Sequence, residues 1–529
     1  MPRPNSSLHT RQHRAGMLQT FTKAWDRLFP ILRKSGTDRS ATQSDASSAG
    51  IDSAVGGKGL SEDLGDVKLV AKIDIVQATT AETTFSASPQ HTRSPAHARL
   101  PNEMLAKIFL YASGNSKIDI PADLNNISPW NCARVCSSWK AVAESMPELW
   151  TKIAIDFKKW SNYAGHVDLV NAILSRHQQS LISLTITPGR GRYYEAYQPV
   201  QYIATNLLNP HSNQIKSLCF KRGYHFGSFL EQAPGSVNSL ETLRWTLDDK
   251  VDNVSVFQDA PSLRKVSIDL CSHTQWFSQF DLLALPLPWS QLTRIHFPGS
   301  LFTPTDAFAL LGQTINLEDC RIGITTLGTE GSVGAPDFAT NPITLLAIKS
   351  LVVEDRNFCS SGQPPSGITN LLSALNFPNL VNFKISQNTE INGPSIRWDD
   401  MEFIEFIQRC SSLTSLVINE VVPSQHLERL LRSAPSLVKL SIRYGGNLSN
   451  SAIQCMSNPD FLPNLGVLNC CIDDLHIFLD MLESRWATSS SPLYEVSINV
   501  DANGRGASDL SRRRVETLIE KGRKIILQG

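Results

Sequence analysis

The sequence predicts a mixed α/β chain in three parts: a leader without stable structure at 1–95, a small all-α unit at 99–153, and a horseshoe-like solenoid of strand–helix units over 165–529. Three observations predict it. The leader is dominated by Ser, Thr, Ala, Gly and Asp. A cluster of large apolar residues at helical spacing follows it. Beyond that cluster one six-residue pattern, apolar-x-x-apolar-x-apolar, recurs twelve times.

Composition bounds the function. The chain has 529 residues and is 41% hydrophobic, which is enough for a large core. Lys+Arg 49 balance Asp+Glu 49, so no global charge points to nucleic acid. No apolar run reaches transmembrane length, and MPRPNSSLHTRQHRAG lacks the apolar core of a secretory signal. The ten cysteines include no CxxC pair, which fits reduced thiols in the cytoplasm, the nucleus or both.

In the leader, few aromatics follow Phe29, so 1–95 cannot bury enough surface to fold alone. Leu18, Phe21, Trp25, Leu28 and Leu32 recur at helical spacing, with Pro30 interrupting, and predict a short transient helix over 17–33. The same basic, acid-poor start also fits a mitochondrial presequence, the weaker of the two readings.

Residues 99–153 come next. Pro101 suits a first helical position, where its missing N–H costs nothing, and Leu105, Ile108, Phe109 and Ala112 then share one helical face. The polar insert GNSKIDIPADLNN lengthens a loop. Ser128-Pro129 repeats the cap-then-proline start, and Cys132, Val135, Cys136, Trp139, Val142 and Ala143 mark a second amphipathic helix. Pro147 stops it, and Leu149-Trp150 close over the apolar face.

The repeats run from Leu181/Leu184/Ile186 to Leu493/Val496/Ile498, roughly 23 to 34 residues apart. Their last two apolar positions alternate as a short buried strand requires. Helical patterns lie between them, such as HVDLVNAILSRHQ, MEFIEFIQRC, HLERLLRSA and LHIFLDMLES. Several strands are entered through a proline turn, for example Phe377-Pro378-Asn379-Leu380 and Leu462-Pro463-Asn464-Leu465. GTEGSVGAPDFATNP and DRNFCSSGQPPSG are Gly/Pro-rich and read as surface loops. A helix-like SRRRVETLIEKG and a strand-like KIILQ complete the series. One strand and one helix cannot bury their own faces, but stacked units can.

The helical unit resembles an F-box, in the divergent form abundant in mushroom-forming fungi, with irregular leucine-rich repeats behind it. The family pattern is carried by Leu100, Pro101, Glu103, Met104, Leu105, Ile108 and Phe109, then Val135, Cys136 and Trp139, then Pro147, Leu149 and Trp150. The resemblance implies a substrate receptor of an SCF-type ubiquitin ligase. It would bind the Skp adaptor, and through it a cullin, with a target protein held on the repeats. It further implies that Leu100, Pro101, Leu105, Ile108, Phe109, Val135, Cys136, Trp139, Leu149 and Trp150 contact the adaptor or shape that surface. The insert at 114–128 departs from the compact family pattern. A scaffold that uses the same unit outside any ligase is the alternative.

Searching for chemistry returns little. There is no HExxH, GxSxG or P-loop, and Gly328, Gly331 and Gly334 make an ordinary loop. Cys132 and Cys136 lack the partners of a metal site and read as small apolar residues. The run Arg512, Arg513, Arg514 reads as a solvated helix face rather than a nuclear signal. The chain is therefore expected to be no enzyme and to need no cofactor. Outward strand positions carry Lys265, Arg294, His296, Arg321, Lys384 and Lys439, interrupted by Asp319 and Glu495. They hint at an acidic or phosphorylated target, and fit a solvated face without a function at least as well.

Overall fold

A short strand that hides alternate side chains leaves its backbone to be satisfied by neighbours on both sides. Among the described residues, thirteen of the fifteen strands in the main sheet have a neighbour on each side. The computed structural model describes residues 100–528 apart from 114–116, 121–127, 157–162, 177–178, 188–201, 222–236, 248–254, 271–281, 326–341, 356–366, 388–400, 420–421, 488–491 and 501–508. The leader, its helix over 17–33 and most of both Gly/Pro-rich loops lie outside the described residues.

The main sheet is 15-stranded, all parallel, and ordered almost as the chain runs. Its strands are β1 (Ile118–Ile120), β2 (Lys152–Asp156), β3 (Ile182–Thr187), β4 (Ile215–Phe220), β5 (Thr242–Leu247), β6 (Lys265–Leu270), β7 (Arg294–Phe302) and β8 (Asp319–Ile324). A two-residue β9 (Ile343–Thr344) pairs with β11 (Leu375–Asn376) in a separate sheet. The main sheet continues with β10 (Ser350–Asp355), β12 (Asn382–Gln387), β13 (Ser415–Asn419), β14 (Lys439–Leu448), β15 (Val467–Ile472), β16 (Glu495–Val500) and β17 (Lys524–Gln528).

Register stacks like on like. Leu351 lies between Cys320 and Phe383, and Val353 between Ile322 and Ile385. From β2 to β16 the residues at these two inward positions are at most 3% exposed. At roughly 1.5–3 kcal/mol for each large aliphatic side chain, two such rows supply most of the driving force. All twelve repeats seen in the sequence fall on strands of this sheet.

The proline turns close as the sequence requires. Leu380 N–H donates to Phe377 O at 3.0 Å and Leu465 N–H to Leu462 O at 3.1 Å, each with proline at the second turn position. The residue before the leucine that opens the repeat pattern then ties adjacent units together. Gln291 Nε2 donates to Ala260 O at 2.6 Å, Asn316 Nδ2 to Ser290 O at 2.7 Å, Asn379 Nδ2 to Leu346 O at 2.8 Å, and Ser436 Oγ to Leu413 O at 2.8 Å.

Helices form in the order α1 (Asn102–Ser113), α2 (Ser128–Ala133), α3 (Ser137–Glu144) and α4 (Tyr163–Arg176). They continue with α5 (Pro304–Gln313), α6 (Gly367–Ser373), α7 (Met401–Arg409), α8 (Ser424–Arg432), α9 (Asn450–Ser457), α10 (Leu475–Ala487) and α11 (Asp509–Glu520). Among the described residues no helix is long and apolar enough to cross a membrane.

Three expectations are corrected. The stretch Cys132–Ala143 is two helices, because Cys136 is extended at φ −163°, ψ 171°. On one straight helix Trp130 and Trp139, nine residues apart, would point in opposite directions. The break lets both fold inward. Second, the insert at 114–128 is more than a loop: its KIDI segment contains β1, paired parallel with β2 through Ile118–Ile153 and Ile120–Ile155. Third, the main sheet therefore begins at residue 118 among the described residues, well before 165, and α2 and α3 lie in its first crossover.

Candidate functional site

The helical unit is held by aromatic packing. In α1, Leu105 and Phe109 point inward, and the Phe109 ring meets Trp139 of α3 at 5.1 Å between centroids. Trp130 of α2 meets Trp150 edge-on at 4.9 Å, and the Trp150 indole donates to Ala143 O at 2.8 Å, closing the C-terminal end of α3. Pro147 opens a single 3-10 turn over Pro147–Leu149, which drops Leu149 into the same core.

Five residues expected to contact a partner, or to shape its contact surface, are thus core: Leu105, Phe109, Trp139, Leu149 and Trp150 are all under 9% exposed. They shape the unit and do not present themselves. Pro101 and Val135 are exposed, and Leu100, Ile108 and Cys136 are half-buried. What the surface does present is Met104 at 48%, Leu110 at 42%, Tyr111 at 73% and Val135 at 53% exposed. Met104, Ile108 and Tyr111 fall at i, i+4 and i+7 of α1, one stripe beside the inward face. Reading Ile108 with the inward face concealed this second stripe, although its spacing was in the sequence. An open groove of about 370 Å³ runs between α1 and α3, floored by Ala106, Ala141 and Val142 and rimmed by Asn102, Glu103 and Ser138.

Cys132 and Cys136 are parted by the helix break. Burial pushes the Cys132 thiol up to about 11, so it stays protonated at neutral pH. Among the described residues no group of three His, Cys, Asp or Glu side chains is placed to hold a metal.

The second candidate surface is the sheet face opposite the two buried rows. One register row runs Lys265, Arg294, Asp319, Ser350, Asn382, and the next outward row runs Ser267, His296, Arg321, Val352, Lys384. The expectation of open cations holds only in part. Arg294 Nε sits 2.9 Å from Asp319 Oδ2, and Arg321 Nε donates to Glu354 Oε1 at 2.6 Å. These two arginines spend their charge inside the sheet. Lys265 is exposed and Lys384 half-buried, and Arg244, level with Ser267 on β5, adds an exposed cation that the sequence reading missed. His296 is half-buried, and burial, with Arg321 adding to it, holds its pKa below the ordinary imidazole value. Asp319 and Glu354 oppose that shift, and Arg244 reinforces it. Farther on, Arg514 pairs with Asp480 at 2.7 Å and Glu483 at 3.0 Å, which accounts for one member of the triple-arginine run.

With this geometry in hand, the comparisons with known proteins bear on the helical unit. Residues 97–156 match the family model described as F-box-like. That span takes in α1, β1, α2, α3 and β2. A search of the curated proteins finds no match. Among solved structures, a crystal structure of a Bacteroides fragilis protein aligns over 74% of this chain and 76% of its own, at 11% identity and a TM-score of 0.23. A likeness that slight carries no argument about fold or function.

Proposed function

We propose that this chain is a non-catalytic substrate receptor of an SCF-type ubiquitin ligase. The F-box-like unit docks the Skp adaptor, the adaptor brings a cullin, and the parallel sheet with its helices is an irregular leucine-rich-repeat solenoid that holds a target protein. Ubiquitin transfer takes place on other subunits, and this chain contributes proximity, raising the local concentration of target near the transfer machinery. No cofactor, nucleic acid or membrane enters this reading, and the complex works in the cytoplasm, the nucleus or both.

The observation that carries the proposal is the apolar stripe of α1. A three-helix unit whose own core is already filled by Leu105, Phe109, Trp139 and Trp150 still exposes Met104, Tyr111 and, in the break between α2 and α3, Val135. Large apolar side chains gathered on so small a unit mark a surface that another protein covers. The stripe supplies anchors at the spacing by which helices engage partner grooves.

A scaffold outside any ligase remains the second reading. It is favoured by β1, which makes the helical unit part of the end of the sheet and gives it a structural role of its own. Co-purification separates the two. A receptor recovers adaptor and cullin together, and its target accumulates on the complex when the proteasome is inhibited. Recovery of adaptor without cullin, and no effect of inhibition, would favour the scaffold.

A further inference from the structure

We propose that the outward sheet face from β5 to β14 binds an extended acidic peptide of the target, whose anionic side chains fall in two groups about seven residues apart. That the peptide belongs to a target rests on the receptor reading above; the chemistry of the face does not. Alternate residues of each strand share this face, opposite the two buried rows. Among the described residues every carboxylate on it is engaged: Asp319 with Arg294, Glu354 with Arg321, and Asp269 with a partner of its own. Cations are left over. Among the described residues Arg244, Lys265, Lys384, Lys439 and Arg443 are in no ion pair, and all but the half-buried Lys384 are exposed.

The free cations are not spread evenly. Arg244 lies level with Ser267, and Lys265 is two residues before it, so both border that half-buried serine. Lys439 and Arg443 border Ser441 along β14, and Lys384 stands in the row of Ser441 with Val417 between them. The zone between the groups is neutral. It holds the two ion pairs, Ser350 and Val352, and His296, which burial, with Arg321 adding to it, keeps below its ordinary pKa.

Lys384 stands five strands on from Arg244 in the same register row. At the spacing of sheet strands that is roughly 24 Å, the reach of about seven extended residues. A peptide crossing the strands can therefore set acidic side chains on both groups and uncharged ones over the middle. Nucleic acid, with a phosphate at every step, would leave several charges over the self-neutralised zone. Charge complementarity thus selects the acidic peptide. Arg294 and Arg321, whose charges are spent on Asp319 and Glu354, take no direct part.

The test is fluorescence anisotropy on the full 529-residue chain. The probes are a peptide with two Glu-Glu pairs about seven residues apart in a Ser/Ala background, its phosphoserine counterpart, the same glutamates run together, and a thymidine oligonucleotide. Binding of a spaced peptide is expected at about 1–100 µM in low salt, weakening as salt screens the charges. Binding of the phosphoserine form alone identifies phosphate as the anion and supports the proposal. Arg244→Ala with Lys265→Ala, and separately Lys384→Ala with Arg443→Ala, are each expected to weaken it at least about fivefold. Arg244→Lys with Lys265→Arg keeps the charge and should restore most of the binding, which guards against a folding defect. Arg512→Ala with Lys521→Ala removes as much exposed charge away from the sheet and should change affinity less than about twofold. No binding of either spaced peptide overturns the proposal, as does an equal loss from the α11 variant. Tighter binding of the run-together peptide or of the oligonucleotide overturns it too. Adaptor binding is scored separately: peptide binding without it removes the receptor reading and leaves this one, and the converse removes this one alone.

Discussion

Phe109 and Trp139 show what a single pair of residues decides. Their rings meet at 5.1 Å and both are buried, Phe109 completely, so truncating Phe109 leaves a cavity that small helices cannot refill. Phe109→Ala is expected to cost about 3–5 kcal/mol of stability, read by denaturant unfolding of the full chain. A loss under about 1 kcal/mol would mean that the unit is packed otherwise. His296 gives a pH signature. Because its pKa is lowered in the fold, the unfolded chain binds the proton first as pH falls. Stability attached to neutral His296 is complete above the ordinary value of about 6.5 and is lost as pH drops through it. His296→Gln should flatten the dependence of unfolding free energy on pH across that window, leaving a residual slope from His211, whose pKa burial also lowers. An unaltered slope would contradict this. At this scale the sequence was legible in part: it showed which residues of 100–150 are apolar, but apolar letters alone do not say which face inward. Leu105 went to the core while Met104 stayed outside, a division made by one step of about 100° along α1.

Elements were easier to read where their period was strong. The strands β3 to β8 and β10, β12 to β16 lie on the repeated pattern, and α4, α7, α8, α10 and α11 lie on the helical patterns between them. What escaped were elements whose signal is short or borrowed from context. β1 has three residues and became a strand because β2 offered it a partner. α5 carries its own start signal in Thr303-Pro304-Thr305-Asp306: Thr303 Oγ1 accepts from Asp306 N–H at 3.2 Å while Asp306 Oδ2 accepts from Thr303 N–H at 3.3 Å. Thr303→Ala is expected to lower stability by about 1 kcal/mol, and Thr303→Ser to restore most of it, by thermal unfolding. Arg409 is a second device of this kind. From the last turn of α7 its Nη2 reaches Leu372 O, Ser373 O and Leu375 O at 3.2, 2.8 and 3.2 Å, fastening α7 to the end of α6. Arg485 does the same from α10 toward Phe461 O and Leu462 O, at 2.6 and 3.0 Å. Arg409→Met should cost about 1.5–3 kcal/mol, the range of hydrogen bonds from a charged donor. Equal stability of the variant would show that these contacts are incidental.

The whole chain joins two surfaces through one continuous sheet. At one end α2 and α3 lie in the first crossover and α1 packs on α3, so anything docked there is fixed relative to the strands rather than tethered by a linker. The middle of the outer sheet face carries Arg244, Lys265 and Lys384 among pairs that neutralise themselves, so charge is offered at a few places and not as a basic field. The central claim is that the α1 stripe and Val135 form the adaptor-docking surface. Titration of purified Skp adaptor into the full chain by calorimetry tests it most directly. The account predicts a one-to-one complex that Val135→Asp or Tyr111→Asp weakens at least about tenfold, since a carboxylate buried without a partner costs more than 1.4 kcal/mol, with the melting curve unmoved because both side chains are exposed. No binding by the folded wild-type chain, or binding that both variants leave intact, would contradict it.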